Sequence, residues 1–205
     1  TTIWGTASSW TLTALPLFVW MGEILFRTRL SENLFKGLSP WMQKLPGGLI
    51  HVNVVGCALF AAISGSSAAT VATVGKMSIP ELRKRKYPEK ILLGSLAGSG
   101  TLGLLIPPSI ILIIYGVAVQ ESIAKLFIAG IIPGIMIALI FMSYVIIWSL
   151  MNKKDMPKII EDYSFLEKIK RSKQLLPVIL LIFAVIGSIY TGIATATEAA
   201  SLGVV

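Results

Sequence analysis

The sequence has 205 residues, of which 55% are hydrophobic and only 14% are charged, and its mean hydropathy is +0.80. Soluble domains carry about 25% charged residues, so this composition indicates an integral membrane protein with helical spans. The net charge of +8 does not indicate nucleic-acid binding, because 17 of the 18 Lys and Arg residues fall in three segments, 27–44, 76–90 and 153–173. Such clustering is typical of cytoplasmic segments of a membrane protein.

The chain begins with an apolar stretch at residues 6–26, which predicts a first membrane span. Glu23 lies four residues before Arg27, so we expect an ion pair near the cytoplasmic surface rather than a proton or ion site. Residues 30–44 are too short and too polar to cross a bilayer, but their apolar positions share one helical face. They predict an amphipathic helix that lies at the cytoplasmic interface.

Residues 47–80 lie between two basic segments, so both ends of this stretch are expected on the cytoplasmic side. An even number of crossings is then required, yet two full spans need about 40 residues and only about 33 are present. We therefore predict a re-entrant helical hairpin that descends over 49–63, turns at 64–70 and returns over 71–79. Two short tilted spans, or one span that violates the charge rule, are the alternatives.

Residues 91–119 form another apolar stretch, which is interrupted at 98–109 by three glycines and by Pro107-Pro108. A continuous helix cannot pass through adjacent prolines undisturbed, since each lacks a donor and clashes with the preceding turn. Inside a membrane, freed backbone groups are tolerated only where protein or a polar cavity covers them, so this discontinuous helix predicts a binding site. Further spans are expected at 126–150 and 175–190, joined by a helical cytoplasmic connection at 152–173.

The hairpin turn and the helix break are expected to meet near the bilayer midplane, where each contributes one helix C-terminus and one helix N-terminus. Carbonyl groups at helix C-termini suit Na⁺, whereas N–H groups at helix N-termini suit a carboxylate, with Pro108 expected in the first turn of its helix. Neither 45–75 nor 91–120 contains Asp, Glu, Lys or Arg. These features predict a transporter that couples sodium to an organic anion. The predicted Na⁺ contacts, mostly backbone carbonyls, are Ser64, Gly65, Ser66, Gly100, Thr101 and Gly103, and the predicted substrate contacts are Ser66, Ser67, Ala68, Thr70, Pro107, Pro108 and Ser109.

The sequence offers few other candidates for chemistry. The GSGTLG motif at 98–103 matches a dinucleotide-binding pattern, but prolines follow it and its surroundings are those of a membrane segment. His51 has no second metal ligand nearby in the sequence, so we expect a helix-packing or interfacial histidine. Cys57 is single and is expected to be structural. Glu198 fits either a functional carboxylate or a solvated group, and both interpretations stay open.

Six short motifs follow one another along the chain: LPLF at 15–18, PGG at 46–48, SGSSAATVATVG at 64–75, GTLGLLIPPS at 100–109, FIAGIIPG at 127–134 and GIATATEAA at 192–200. In this order the sequence resembles the large membrane (M) subunit of tripartite ATP-independent periplasmic (TRAP) transporters, over nearly its whole length. The resemblance implies an all-α membrane protein with an elevator-type ion transporter fold. That fold contains a re-entrant helical hairpin and a discontinuous helix in each of two inverted repeats.

The resemblance covers the first repeat and the start of the second, so we expect the sequence to be part of a longer protein that does not transport as a fragment. Residues 1–45 would form a transmembrane helix and the interfacial amphipathic helix. Residues 46–125 would form the transport region, with the hairpin at 47–80 and the broken helix at 91–119. Residues 126–205 would form scaffold-type helices and the start of the second repeat.

The resemblance also implies a function, which is sodium-driven uptake of a carboxylate, of the C4-dicarboxylate or sialic acid class, without ATP. A periplasmic substrate-binding protein would deliver the substrate, and a small membrane (Q) subunit, separate or fused, would complete a multi-pass transporter in the lipid bilayer of the bacterial inner membrane. The alternatives are a divalent-anion/sodium symporter that needs no binding protein and a passive anion channel. A membrane-embedded enzyme is disfavoured, because it would need clustered His, Asp or Glu residues.

Overall fold

A computed structural model describes residues 10–28, 30–157 and 163–204, and every regular element within these ranges is helical. A short 3₁₀ turn (Trp10–Thr13) precedes α1, and another (Thr101–Leu104) follows α5. The α-helices are α1 (Ala14–Arg27), α2 (Leu30–Met42), α3 (Ile50–Ser64), α4 (Ser67–Lys84), α5 (Glu89–Gly100), α6 (Ile110–Val119), α7 (Ile123–Met151), α8 (Phe165–Ser172), α9 (Leu176–Tyr190) and α10 (Ala196–Val204).

Among the described residues, two helical segments are long and apolar enough to cross a membrane, as the composition predicted. They are Ile123–Met151, which is α7, and Phe165–Tyr190, which comprises α8, a 3₁₀ turn and α9. The predicted span at 6–26 corresponds in part to α1, whose 14 residues begin at Ala14, while residues 1–9 lie outside the described ranges. Proline does not interrupt α7, which continues through Pro133.

Helices α3, α4 and α5 pack on one another and form the centre of the described structure. Helix α3 is predominantly apolar and most of its residues are buried, which is typical of a helix surrounded by protein, and its Cys57 and Phe60 lie in the core. Helix α1 packs against α10, and α2 covers one end of the central helices with its buried Leu34 and Leu38. The amphipathic helix predicted for 30–44 is therefore present as α2, with its apolar face against protein.

Helices α3 and α4 form the helix–turn–helix expected at 47–80, but the turn is shorter than predicted. The turn was expected at 64–70, whereas only Gly65 and Ser66 separate the two helices. Gly65 adopts the left-handed conformation, with φ +60°, and ends α3. Ser66 is the N-cap residue of α4, and its hydroxyl accepts a hydrogen bond from the Ala69 N–H at 3.4 Å. Helix α4 therefore begins four residues early, at Ser67, and it continues through Pro80 to Lys84.

The predicted break in 91–119 is present, but its boundaries differ from the prediction at the second half. Helix α5 ends at Gly100, and the 3₁₀ turn that follows ends at Leu104. Helix α6 begins at Ile110 with Ser109 as its N-cap residue, so the expectation that Pro108 lies in its first turn was wrong. The Pro107–Pro108 peptide bond is cis, and the two prolines lie in the non-helical bend that links the halves.

Candidate functional site

The turn between α3 and α4 is held by hydroxyl groups. The Ser64 Oγ and Thr70 Oγ1 atoms lie 2.9 Å apart, and both residues are fully buried. The Thr70 hydroxyl also donates to the Ser66 carbonyl at 2.7 Å, and the Ser64 hydroxyl donates to the same carbonyl at 3.3 Å. These contacts order the first turn of α4, whose leading N–H groups have no acceptor inside the helix.

The break between α5 and α6 is closed by backbone and hydroxyl contacts of its own. The N–H groups of Leu105 and Ile106 donate to the Leu102 carbonyl at 3.0 and 2.8 Å. The Ser109 hydroxyl donates to the Leu104 carbonyl at 2.6 Å, which ties the start of α6 to the end of the 3₁₀ turn. Helix α7 packs closely against this segment at Gly130. A Cβ atom at that position would come within 2.7 Å of the Leu105 carbonyl oxygen.

The turn and the break are in direct contact, which brings together two segments more than 30 residues apart in the sequence. The Ile110 N–H donates to the Gly65 carbonyl at 3.2 Å. A Cβ atom on Gly65 would lie 2.7 Å from the Pro108 carbonyl oxygen, and one on Gly103 would lie 2.9 Å from the Ser67 nitrogen. Glycine is thus required at both positions for the two backbones to approach this closely.

The predicted contact residues differ in how accessible they are around this junction. Thr101 and Ala68 are exposed, and Ser66 and Ser67 are half-buried. The others are buried, and they are Ser64, Gly65, Thr70, Gly100, Gly103, Pro107, Pro108 and Ser109. The structure therefore places the predicted Na⁺ and substrate residues at one junction, with Thr101 and Ala68 at its edge.

The predicted contact residues also differ in whether their polar atoms are already hydrogen-bonded. The Ser66 carbonyl oxygen receives the Thr70 N–H as well as the two hydroxyls, so it has little capacity left for a cation. The Thr101 hydroxyl donates to the Gly98 carbonyl at 2.7 Å. The Ser67 hydroxyl oxygen, in contrast, is buried and has no hydrogen-bond partner among the described residues. Buried polar atoms are normally paired, so Ser67 is the member of the set best placed for a ligand.

Sequence reasoning missed a buried polar cluster between α3 and α5. Asn53 is fully buried, and its Nδ2 donates to the Leu92 carbonyl at 3.2 Å and to Ser95 Oγ at 3.0 Å. The Ser99 hydroxyl donates to the Ser95 carbonyl at 2.5 Å and lies 3.4 Å from the Asn53 carbonyl. An asparagine within the apolar run at 49–63 was the signal that could have indicated this link. The cluster fixes the first half of the broken helix against the hairpin.

The structure gives local packing partners to the other polar residues that the sequence singled out. His51 is buried, and its Nε2 lies 2.8 Å from the Pro46 carbonyl oxygen, as suits a helix-packing histidine. Glu23 and Arg27 form the predicted i,i+4 ion pair at 2.8 Å. The Glu198 carboxylate accepts hydrogen bonds from both the N–H and the hydroxyl of Thr195, each at 2.8 Å, so it caps α10. These contacts give each of the three side chains a local partner, while the buried His51 Nδ1 has none among the described residues.

Tyr87 closes the other end of the helix–turn–helix, in the basic segment between α4 and α5. Its hydroxyl oxygen accepts a hydrogen bond from the Leu49 N–H at 3.1 Å. Burial raises the pKa of Tyr87, because a phenolate there would lose most of its hydration. The tyrosine therefore stays neutral and links the start of α3 to the segment that follows α4.

Comparison with known proteins identifies the family to which these motifs belong. Residues 1–205 match the family model described as "Tripartite ATP-independent periplasmic transporter, DctM component". The C4-dicarboxylate TRAP transporter large permease protein DctM of Pseudomonas aeruginosa is 37% identical over 200 residues, which cover 98% of this chain and 46% of that protein. The sialic acid TRAP transporter large permease protein SiaM of Vibrio cholerae is 36% identical over 200 residues, which cover 97% of this chain and 46% of that protein.

A third relative carries a different substrate in its name. The isethionate TRAP transporter permease protein DctMQ of Oleidesulfovibrio alaskensis is 36% identical over 197 residues, which cover 95% of this chain and 30% of that protein. The chain thus spans about half the length of the two large permeases and less of the third. Because the family match extends over every residue, the chain belongs to the DctM component family of tripartite ATP-independent periplasmic transporters.

Proposed function

We propose that the chain is part of a secondary transporter that uses a sodium gradient to take up an organic anion through the junction of the α3–α4 turn and the α5–α6 break. The observation that carries the proposal is the unpaired, buried hydroxyl of Ser67, which lies at the N-terminus of α4 and beside Gly103 of the break. A helix N-terminus presents N–H groups and a positive dipole, so it suits a carboxylate. The Ser67 hydroxyl would add one further hydrogen bond to that group.

Helix lengths support the re-entrant arrangement on which this proposal rests. Helix α3 has 15 residues, which is about 22 Å of helix, against about 30 Å for the hydrocarbon core of a bilayer. In α4 the first charged residue is Lys76, so its uncharged part at 67–75 covers only about 14 Å. Two arms of these lengths fit a hairpin that enters and leaves on the same side better than two complete crossings.

The lengths of the broken helix support a break near the middle of one membrane crossing. Helix α5 has 12 residues and α6 has 10, which correspond to about 18 and 15 Å, or roughly half a bilayer each. The unpaired ends of four helices would then meet near the midplane. In this interpretation residues 46–125 form the transport region, which moves as an elevator against a scaffold formed by the helices at 126–205.

Sodium is proposed as the coupling ion because the junction offers neutral oxygen ligands. Carbonyl and hydroxyl oxygens suit a hard cation such as Na⁺, and the described residues contain no cluster of His, Cys, Asp or Glu that would favour a transition metal. The Gly65 carbonyl accepts one hydrogen bond and keeps a free lone pair. Gly65 is therefore a better candidate for a carbonyl ligand than Ser66, and Gly100 and Gly103 remain proposed ligands beside it.

The substrate is proposed to be a carboxylate, and the partners are those of the family. The three relatives described above are named for C4-dicarboxylates, sialic acid and isethionate, which are organic anions, whereas another relative is named for the zwitterion ectoine. All four compounds carry a carboxylate or sulfonate group, so the names support an acidic group on the substrate without choosing one compound. Uptake would require a periplasmic substrate-binding protein and a small Q subunit, in a multi-pass assembly of the bacterial inner membrane. ATP would have no part in it.

The test is uptake by the full-length permease, reconstituted with its Q subunit and binding protein in proteoliposomes. Labelled succinate and labelled sialic acid are offered with an inward sodium gradient or with potassium in its place. Uptake that needs both sodium and the binding protein supports the proposal. Sodium-dependent uptake without the binding protein would favour the divalent-anion symporter, and uptake that is indifferent to sodium would contradict the proposed coupling.

Substitution of Ser67 tests the placement of the site. We expect Ser67→Ala to raise the half-saturating concentration of sodium or substrate about tenfold, because a hydrogen bond to a charged ligand is lost. Ser67→Leu should reduce uptake further, since the larger side chain fills the space beside Gly103. Ser143→Leu is the matched control, because Ser143 is exposed on α7. Normal uptake by Ser67→Leu would contradict this placement.

A further inference from the structure

A cavity lies beside the C-terminal half of α4, away from the turn. It has a volume of about 550 Å³ and is bordered by α1, α2, α4 and the segment from Tyr163 into α8. Its α4 residue Lys76 is nine positions from Ser67, which corresponds to about 14 Å along the helix. The cavity is therefore separate from the proposed transport site. Five cations line it, namely Arg27, Lys36, Lys76, Arg85 and Arg171.

Among the described residues, the cations that line this cavity outnumber the carboxylates that border it. Two glutamates line the cavity, and each pairs with a cation on its own helix: Glu32 with Lys36 at 2.5 Å, and Glu81 with Arg85 at 2.8 Å. Arg27 pairs with Glu23, which does not line the cavity. Once these three ion pairs are counted, two of the five cations, Lys76 and Arg171, have no carboxylate partner among the described residues.

Two of the five cations are held by aromatic rings instead of carboxylates. The Lys76 Nζ lies 4.8 Å from the centre of the Phe26 ring, and the Arg171 guanidinium lies 4.3 Å from the centre of the Tyr163 ring. Within the described ranges, neither Lys76 nor Arg171 forms an ion pair. An aromatic ring orients a cation and leaves its N–H donors available for an anion on the other side.

We propose that this cavity binds a phosphate group through Lys76 and Arg171. Phosphate fits because the guanidinium fork of an arginine matches its oxygens and lysine adds a point charge. A cavity of this size also accepts more than the phosphate, and Phe26, Phe35 and Met77 provide an apolar wall. The phosphodiester headgroup of an anionic phospholipid and a soluble phosphate ester share this chemistry.

A bound phosphate would contact both Lys76 and Arg171 and would therefore link the two helices that carry them. The two side chains cannot form an ion pair with each other, because both are cations. Lys76 lies on the returning arm of the helix–turn–helix, whereas Arg171 lies on α8, just before the long apolar helix α9. Both side chains are cationic and repel each other, and an anion between them would turn that repulsion into attraction. The ligand would thereby hold the C-terminal half of α4 against α8.

The experiment compares the full-length wild-type permease with the double variant Lys76→Gln/Arg171→Gln. Native mass spectrometry measures binding of phosphatidylglycerol and of phosphatidylcholine to the detergent-purified protein. A thermal-shift assay with inorganic phosphate and glycerol 3-phosphate tests the soluble source. The matched control is Lys84→Gln/Lys170→Gln, which removes the same charge from exposed positions on the same two helices outside the cavity.

We expect the wild type and the control to bind phosphatidylglycerol in preference to phosphatidylcholine, and the double variant to bind it about 20-fold more weakly. Stabilisation by the soluble phosphates, lost only in the double variant, would support the phosphate site and identify the source as soluble. Equal binding by the double variant and the wild type for every probe would overturn the proposal. If the double variant does not fold, the same measurements are made on Arg171→Gln alone, because this substitution changes only an exposed side chain. Weaker binding of the phosphate probes is expected for that variant as well.

Discussion

The Gly65→Ala substitution tests whether the contact between the α3–α4 turn and the α5–α6 break matters for transport. Gly65 adopts φ +60°, and an added Cβ atom would lie 2.7 Å from the Pro108 carbonyl oxygen. This oxygen belongs to the backbone and cannot rotate away, so the turn and the break would have to separate. The hydrogen bond from the Ile110 N–H to the Gly65 carbonyl, 3.2 Å long, would then be lost.

The size of the effect follows from three contributions. A non-glycine residue in the left-handed region costs about 1 kcal/mol, and a lost backbone hydrogen bond costs about another 1 kcal/mol. Relief of the contact with backbone adds about 1–3 kcal/mol. If only the joined geometry transports, the total of about 3–5 kcal/mol reduces its population at least about 100-fold, and uptake should fall accordingly.

Two further Gly→Ala variants isolate the contact from the backbone strain. Gly192 has φ +72° and no described atom within 4 Å of an added Cβ, so Gly192→Ala introduces strain without the contact. Gly187 lies in α9 and also has no described atom within 4 Å, so Gly187→Ala introduces neither. Binding-protein-dependent uptake and the melting temperature of the purified full-length protein are measured for all three. Equal behaviour of Gly65→Ala and Gly192→Ala would refute the argument from the contact.

Two other substitutions test the packing around the site. Asn53→Leu removes the hydrogen bonds to the Leu92 carbonyl and Ser95 Oγ, so we expect a loss of about 1–3 kcal/mol of stability, seen as a lower melting temperature. An unchanged melting temperature would show that the Asn53 hydrogen bonds do not hold α5 against α3. Glu23→Gln should change stability by less than about 0.5 kcal/mol, because both partners of its ion pair with Arg27 are exposed. Loss of uptake in that variant would instead assign Glu23 a proton or ion role.

The sequence by itself was sufficient for the features that depend on local backbone chemistry. Glycine and proline restrict or free the φ angle of their own residue, so the positions of the breaks near Gly65 and at Pro107–Pro108 follow from residue identity alone. The distribution of charge was equally informative, because apolar stretches between basic segments indicate membrane helices wherever they pack. The exact ends of the helices were harder to predict from the sequence, as the early start of α4 at Ser67 shows.

Only the tertiary structure decided which of the predicted contact residues remain available to a ligand. Ser64, Ser66 and Ser67 are alike in sequence, yet the hydroxyl of Ser64 pairs with Thr70 and that of Ser67 has no described partner. The contact of Gly65 with Pro108 and Ile110, and the link from Asn53 to Ser95, join residues that are distant in the chain. Such pairings depend on how whole helices pack, and local periodicity carries no information about the partner of a particular polar atom.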